Sequence, residues 1–394
     1  MSKQNMSLNE ETSDLVIAPV KTKAERDVFI RVPFAIYGPE DHWVPPLLAE
    51  RHDHLNPAKN PYFLHAETQL WVAYKNGRPV GRISAQICAL YLERYNNATG
   101  HFGFLEAIDD LAVFKSLLDT AQTWLAQRGM KHIQGPFNFS INEEMGLLVE
   151  GFDTPPSLMM THAKPYYAKH LEALGYVKAK DVMAYDSRTN TDLPRVARLM
   201  VDRVKSTDGL TIRPFRKHKF AQDIAIVLDI FNEAWSNNWG YVPMTDEEIK
   251  MLGKNLKMLA RGEYIQIAEL KGRPVAMAVT MPNINAAIAD MNGKLFPFNW
   301  VKLIWRLKIR PPQSIRLLLM GVRKEFHGTR MGAALALSVV EALRLYHSSR
   351  GTLQAEHSWV LEDNIPMRKM IETLGGWHYK TYRIYQASLL EQTS

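Results

Sequence analysis

Residues 315–335 read IRLLLMGVRKEFHGTRMGAAL, and the order of elements in this stretch decides the fold. Ile315, Leu317, Leu318, Leu319 and Met320 make a short apolar run before Gly321, which has the length and composition of a buried strand. Ala333, Ala334, Leu335, Ala336 and Leu337 then open a helical pattern that continues to about Tyr346. Between the two, Gly328 and Gly332 let the backbone approach whatever lies at the helix start. Unpaired N–H groups there point outward, and the helix dipole favours negative charge. Arg323, Lys324, His327 and Arg330 add positive side chains, so the segment is suited to hold phosphate. The alternative is a glycine-bearing turn between strand and helix with no ligand.

Working outward, the chain repeats itself. Trp71–Val80 aligns with Gln266–Val275, and both read as a hairpin around Gly-Arg-Pro. Glu172, Leu174, Gly175, Lys180 and Tyr185 match Glu372, Leu374, Gly375, Lys380 and Tyr385 at a constant offset of 200 residues. Trp43-Val44-Pro45 echoes the segment Trp239–Pro243. The repeat divides the chain into a tail at 1–14, a first domain at 15–188, a helical linker at 189–210, a second domain at 211–388 and a tail at 389–394. Within the linker, Leu193–Val204 has a helical pattern with Asp192 as the expected cap. The first-half counterpart of the opening strand is His101–Ile108, which runs through Asp109-Asp110 directly into a helix at Leu111–Gln127. Two carboxylates there suit a helix start but repel a phosphate.

The strand, loop and helix at 315–337 resemble the pyrophosphate-binding loop of the GNAT (GCN5-related N-acetyltransferase) superfamily, whose loop reads [Q/R]-x-x-G-x-[G/A]. Here it reads His327-Gly328-Thr329-Arg330-Met331-Gly332. Gly332 matches, His327 stands for Gln or Arg, and Arg330 replaces the central glycine. The segment Glu356–Asn364, a helix closing on Leu374-Gly375-Gly376, and an aromatic strand with Trp377, Tyr379, Tyr382 and Tyr385 are similar to the end of a GNAT domain. Many members carry a Tyr four residues before the helix-ending glycine, and this chain has Ile371. FGFLEAIDD, GPFNFSINEEMG, GFDTPP, WVLEDN and KTYRIY narrow the resemblance to a bacterial tandem-GNAT group, similar to the one that includes a bacterial ceramide synthase.

The resemblance implies an α/β fold of the α+β type. It would hold two tandem GNAT-like domains, each a mixed, mostly antiparallel sheet flanked by helices, with splayed central strands. It implies acyl-CoA as co-substrate, held by Gly321, Val322, His327, Gly328, Thr329, Arg330, Met331, Gly332 and Ala333, with Asn364 on the pantetheine arm. Asn364 is also a good helix cap in its own right. The implied reaction is direct acyl transfer to an amine, with a backbone donor near Gly321–Val322 on the thioester carbonyl. Glu356 is the first candidate for the base, with Glu362 and His357 behind it, and Tyr382 is a candidate acid. Alternation puts Glu356 and Ser358 on one strand face, His357 and Trp359 on the other. Each candidate is equally readable as a solvated or packing residue.

Composition sets bounds. The 394 residues are 46% hydrophobic and 23% charged, as in a soluble globular protein, and long enough for two cores. A single cysteine excludes a disulfide framework and suits a reducing compartment; Cys88 reads as a small buried residue. The first fourteen residues lack a signal-peptide pattern, and no window approaches the roughly eighteen apolar residues of a membrane span. A cytoplasmic location follows. No metal-ligand spacing, nucleophile elbow or Walker loop is present, so no metal is expected. The net charge of +7 implies an anionic partner, for which CoA suffices. The basic residues form no dense stripe with interleaved aromatics, so nucleic acid is not expected.

Lys294–Arg310, KLFPFNWVKLIWRLKIR, adds a second possible partner. Trp300, Leu303, Ile304 and Leu307 share one helix face, and Lys302, Arg306 and Arg310 another. That is the pattern of a helix lying at the inner membrane face, or of an ordinary core-facing helix. The first reading suits a lipid, sphingoid-type amine as acceptor. Two other functions fit a paired fold: a non-catalytic tandem-GNAT scaffold, and an aminoacyl-tRNA-dependent transferase.

Overall fold

The computed structural model describes residues 14–259 and 261–389, the side chains of 254–259 excepted; the expected tails at 1–14 and 389–394 lie almost wholly outside that range. One sheet of thirteen strands runs through the described residues. Its strands are β1 Leu15–Pro19, β2 Ala66–Lys75, β3 Arg78–Cys88, β4 Thr99–Ala107, β5 His132–Gly135, β6 Leu147–Glu150 and β7 Val177–Arg188 in the first half. The second half supplies β8 Leu210–Pro214, β9 Ile265–Leu270, β10 Arg273–Pro282, β11 Ser314–Val322, β12 Gln354–Leu361 and β13 Trp377–Ser388. Five helices matter below: α1 Leu111–Ala126, α2 Asp246–Leu259, α3 Asn299–Lys308, α4 Arg330–Ser349 and α5 Ile365–Thr373.

The strand order is β1-β2-β3-β4-β5-β13-β7-β12-β11-β10-β9-β8, with β6 on β13. Each half is an antiparallel run ending in one parallel pair, β4 with β5 and β11 with β12. At the junction each half gives its closing strand to the other. β13 pairs with β5, β7 pairs with β12, and the two closing strands pair with each other. The halves therefore share a continuous sheet, and residues of either can complete a site in the other.

Local chemistry explains the elements. The hairpin turns are Asn76-Gly77 and Lys271-Gly272, all four residues at positive φ, which matches the twist of the flanking strands. The Arg-Pro expected in the turn instead opens β3 and β10. All nine residues of β4 are buried, as expected of a strand covered on both faces. One cover is α1, which buries Val113, Phe114, Leu117, Leu118, Ala121 and Leu125. Each large apolar side chain there contributes about 1.5–3 kcal/mol. In the second half α4 buries Leu335, Val339 and Leu343 the same way. It starts at Arg330, three residues before the expected Ala333, because Thr329 caps it. The linker helix runs Arg195–Lys205 behind Pro194; Asp192 does not cap it but pairs with Arg198 at 3.3 Å.

Candidate active site

β11 and β12 pair only from Ser314 and Gln354 to Leu317 and His357. Leu318 is then an extra residue, since Thr280 of β10 faces Leu317 while Val279 faces Leu319. Such a bulge bends and twists its strand, and beyond it the two parallel strands diverge. The divergence exposes two faces with different chemistry.

On the face of Leu317 and His357 lies a partly open cleft between the strands, α4, α5 and the segment Ser187–Leu193. Its walls are mainly apolar, including Met320, Leu337, Met370 and Leu374. His357 pairs with Ser187 at 2.8 Å, and burial lowers its imidazole to about 4, so it stands neutral at pH 7. The α4 residues that line the cleft begin at Leu337, seven positions past the start of the helix.

At the start of α4, Thr329 Oγ1 accepts the Gly332 N–H at 3.0 Å, and the Thr329 carbonyl accepts the Ala333 N–H at 3.2 Å. The Gly328, Arg330 and Met331 N–H groups have no acceptor among the described residues. Gly328 sits at φ +71° with open space around it. Gly332 is needed for packing: a Cβ there would lie 2.1 Å from the Phe326 carbonyl oxygen. Two expected cations are otherwise engaged. Arg323 is held by Asp229 and Glu233, and Glu233 also accepts the Lys324 N–H at 2.8 Å. The His327 ring turns back and its Nε2–H donates to the Val322 carbonyl at 2.8 Å, so it does not face the loop as a Gln or Arg would. Arg330 is exposed beside the free amides.

The opposite face holds a buried polar cluster. Arg316 of β11 and Glu356 of β12 are register partners, 1% and 5% exposed, with Nε 3.7 Å from Oε1. Arg316 also donates to Ser358 Oγ at 2.9 Å and to the Leu158 carbonyl. Glu356 accepts from the Ser358 hydroxyl and from the Tyr379 hydroxyl of β13. The guanidinium lies 4.5 Å over the Trp359 ring. Burial pushes the Tyr382 phenol well up, with the charge of Glu356 adding to it, so the hydroxyl keeps its proton. That hydroxyl and Trp359 Nε1 have no partner among the described residues. Burial brings Lys380 down to about 8 against the pull of Glu356, and its ammonium rests on the Thr154 carbonyl at 2.8 Å.

Glu356 and Tyr382, the candidate base and acid, are thus brought to one cluster. Glu362 is not: it pairs with Lys178 at 2.6 Å and accepts the Asp181 N–H, away from these groups, because the chain turns after Leu361. His357 is on the cleft face. Trp359 reaches the side of Arg316 because the β12–β7 register shifts between His357 and Val360, which breaks the expected alternation. Asn364 caps α5 by accepting the Met367 N–H at 3.3 Å. Gly321 and Val322 are buried at the end of β11. Sequence reasoning missed Arg316, Ser358, Tyr379 and Lys380. Arg316 had a signal, an arginine inside an apolar strand, since a buried charge must find a partner. Among the described residues no group of three or more His, Cys, Asp or Glu could hold a metal.

No family model matches the sequence. A bacterial ceramide synthase of Caulobacter vibrioides is 43% identical over 385 residues, 98% of this chain and 100% of that one. Protein YghO of Escherichia coli is 45% identical over 368 residues, 93% and 94% of the two chains. The chain belongs to their family. Its fold also matches a tandem GNAT protein from the clavulanic acid biosynthesis pathway, with TM-score 0.56 at 13% identity over 96% of this chain and 99% of that one. It is accordingly an N-acyltransferase of the tandem-GNAT type.

Proposed function

We propose that this N-acyltransferase takes its acyl group from acyl-CoA and delivers it to the nitrogen of a lipid amine of the sphingoid type. One arrangement carries the reading: the diverging strands have a mainly apolar cleft on one face and the Glu356 cluster on the other. The free amides of Gly328, Arg330 and Met331, the open space at Gly328 and the Arg330 side chain fit a diphosphate at the α4 start. The cleft then takes the pantetheine and acyl portions. The name of the ceramide synthase relative supports a lipid amine as acceptor.

In the transfer, the amine nitrogen adds to the thioester carbonyl carbon and the carbon–sulfur bond breaks. A proton leaves the nitrogen to Glu356, directly or through water, once Tyr379 and Ser358 release that carboxylate. The CoA thiolate takes a proton from Tyr382, the unpartnered hydroxyl of the cluster. A backbone N–H near Gly321–Val322 polarises the carbonyl. Arg316 is a positioning residue that balances the buried carboxylate.

The exposure of α3 supports a membrane contact. None of its residues is buried, and Phe296, Phe298, Trp300, Val301, Ile304, Trp305 and Ile309 are all exposed. It is not a core-facing helix. Asp290 ties Lys302 and Arg306 back to the body at 2.6 and 2.7 Å, while Lys294 and Arg310 remain exposed. An aromatic face with flanking cations suits an anionic headgroup layer. Trp300→Ser with Trp305→Ser is expected to abolish flotation with anionic liposomes; unchanged flotation would defeat this part.

The test of the whole is product mass. Palmitoyl-CoA and sphinganine incubated with the full chain are expected to give the N-acyl amide, and palmitoyl-CoA to raise the melting temperature more than acetyl-CoA. No stabilisation by any CoA ester would favour the scaffold reading, to which the tight enclosure of Glu356 lends support.

A further inference from the structure

A second constellation lies in the first half, outside the machinery described above. Cys88 ends β3 and is the sole cysteine of the chain. Its cross-strand neighbour is Ala66, so His65 stands beside it at the start of β2, and the His65 carbonyl accepts the Ala89 N–H at 2.8 Å. Cys88 Sγ is 3.5 Å from His65 Nδ1. The other ring nitrogen, Nε2, is 3.1 Å from Glu248 Oε1 on α2, which belongs to the second half. Glu248 is fixed in turn: its Oε2 accepts the Thr245 N–H at 2.7 Å, and Thr245 Oγ1 accepts the Glu248 N–H at 3.3 Å.

These three side chains line a small, partly open pocket with Tyr62, Tyr91, Phe137, Phe139 and Ile141 among its walls. Tyr62 is 1% exposed, its ring lies edge-on to His65 at 5.2 Å, and its hydroxyl has no partner among the described residues. A buried hydroxyl without an acceptor costs free energy unless something fills the space before it. Burial and the charge of Cys88 push this phenol well up, so it remains a donor. Burial works against a charged His65, but the hydrogen bonds its ring donates to Cys88 and Glu248 outweigh it and lift the imidazole to about 9.

The set is a sulfur nucleophile, an imidazole paired with it, a carboxylate that orients the imidazole, an unengaged donor and a partly open pocket beside them. Those are the parts acyl transfer to a thiol requires. We propose that Cys88, His65 and Glu248 form a second nucleophilic centre, which accepts an acyl group from a thioester as a covalent thioester on Cys88. Cys88 adds to the thioester carbonyl as the thiolate of its ion pair with the His65 imidazolium, while Tyr62 donates to the carbonyl oxygen. The donor carbon–sulfur bond breaks, and the departing thiolate takes the proton from His65. The acyl group moves from one sulfur to another, and nothing is oxidised or reduced. Because Glu248 comes from the second half, the centre exists only when the halves are packed together. It is independent of acyl-CoA binding at α4.

The probe is octanoyl-N-acetylcysteamine, a thioester without phosphates, incubated with the full chain and followed by intact mass. One octanoyl group is expected, removable by hydroxylamine and absent in Cys88→Ala. His65→Asn should slow acylation by about tenfold or more, and Tyr62→Phe by a similar factor, with melting temperatures checked for each variant. Should His65→Asn fail to fold, Glu248→Gln replaces it, with a several-fold loss expected. Absence of the adduct, or acylation at an undiminished rate in the folded His65 or Glu248 variant, would overturn the assignment.

Discussion

The two halves fold alike and differ where charge meets the sheet. Helix α1 starts on Asp110, whose carboxylate accepts the Ala112 N–H at 2.9 Å and pairs with Lys75 at 2.8 Å, while Asp109 pairs with His170. Helix α4 starts on a neutral Thr329, with Arg330 next and a bare glycine at 332. One helix brings its own anion; the other leaves room for one. The diverging strands repeat the contrast. The first-half ladder ends on His101 opposite Gln134, and burial lowers His101 to about 4, so the pair is uncharged at pH 7. The second-half ladder carries Arg316 opposite Glu356. A duplicated scaffold can thus keep its packing in both copies while a handful of positions give the two copies opposite charge at the helix start and in the parallel ladder.

The largest expected effect breaks that asymmetry directly. Glu356→Gln should lower acyl transfer by about a hundredfold or more, the range for loss of a general base, with acyl-CoA still raising the melting temperature. It also leaves Arg316 without its buried counter-ion, at a cost of about 3–5 kcal/mol, so folding must be checked by circular dichroism. Gln134→Glu, its first-half counterpart, should gain no activity. Retained transfer in a folded Glu356→Gln would remove Glu356 from the chemistry.

Gly332→Ala comes next. The added methyl meets the Phe326 carbonyl, and relieving the overlap costs about 1–3 kcal/mol. It also shifts the amides at the start of α4, so acyl-CoA affinity by calorimetry should fall at least about tenfold, for one lost set of charge-assisted contacts. In the first half, Asp110→Ala removes a cap at about 1 kcal/mol and should leave acyl-CoA binding untouched. If both variants weaken binding alike, the two helix starts are not the distinct devices argued above.

The third comparison uses pH. His101 and His357, one in each half, are both held near 4 by burial, below their unfolded value of about 6.5. The unfolded chain therefore binds more protons between these values, and stability is lost as pH falls from about 6.5 toward 4. Each contributes on the order of 3 kcal/mol across that window, with His162 and His347 acting in the same direction. His101→Gln and His357→Gln should each flatten the urea-measured stability over that range. An unchanged slope would mean the ring in question is hydrated in solution.

Much of this was legible in the sequence because it is local. A strand, two glycines and a small-residue helix announce the strand, loop and helix of β11 and α4, and an offset of 200 residues announces the duplication. The exchange of closing strands was not legible. β7 and β13 carry the same pattern, ending in matched tyrosines at 185 and 385, so either satisfies either slot. Glu362 was misplaced because its direction depends on a turn after Leu361 that draws it toward Lys178, a first-half residue. Trp359 was assigned to the wrong face because period-two alternation holds only in an unbroken ladder. Tyr379 could not be tied to Glu356 without knowing that β7 separates their strands.

The smallest effect separates two roles of one side chain. Asn364 caps α5 through its carbonyl oxygen, whereas the corresponding first-half helix, Tyr166–Ala173, starts behind Pro165 with no side-chain cap. Asn364→Ala should cost about 1 kcal/mol, a loss that the first half shows the fold tolerates. Serine also caps well, so Asn364→Ser should restore most of that stability. It cannot replace the amide N–H2, which the cap leaves free to donate toward a pantetheine carbonyl. A few-fold rise in KM for acyl-CoA, at unchanged kcat, is therefore expected to persist in the serine variant. If KM recovers together with stability, Asn364 acts on the helix alone, and the contact implied by the family resemblance does not exist in this chain.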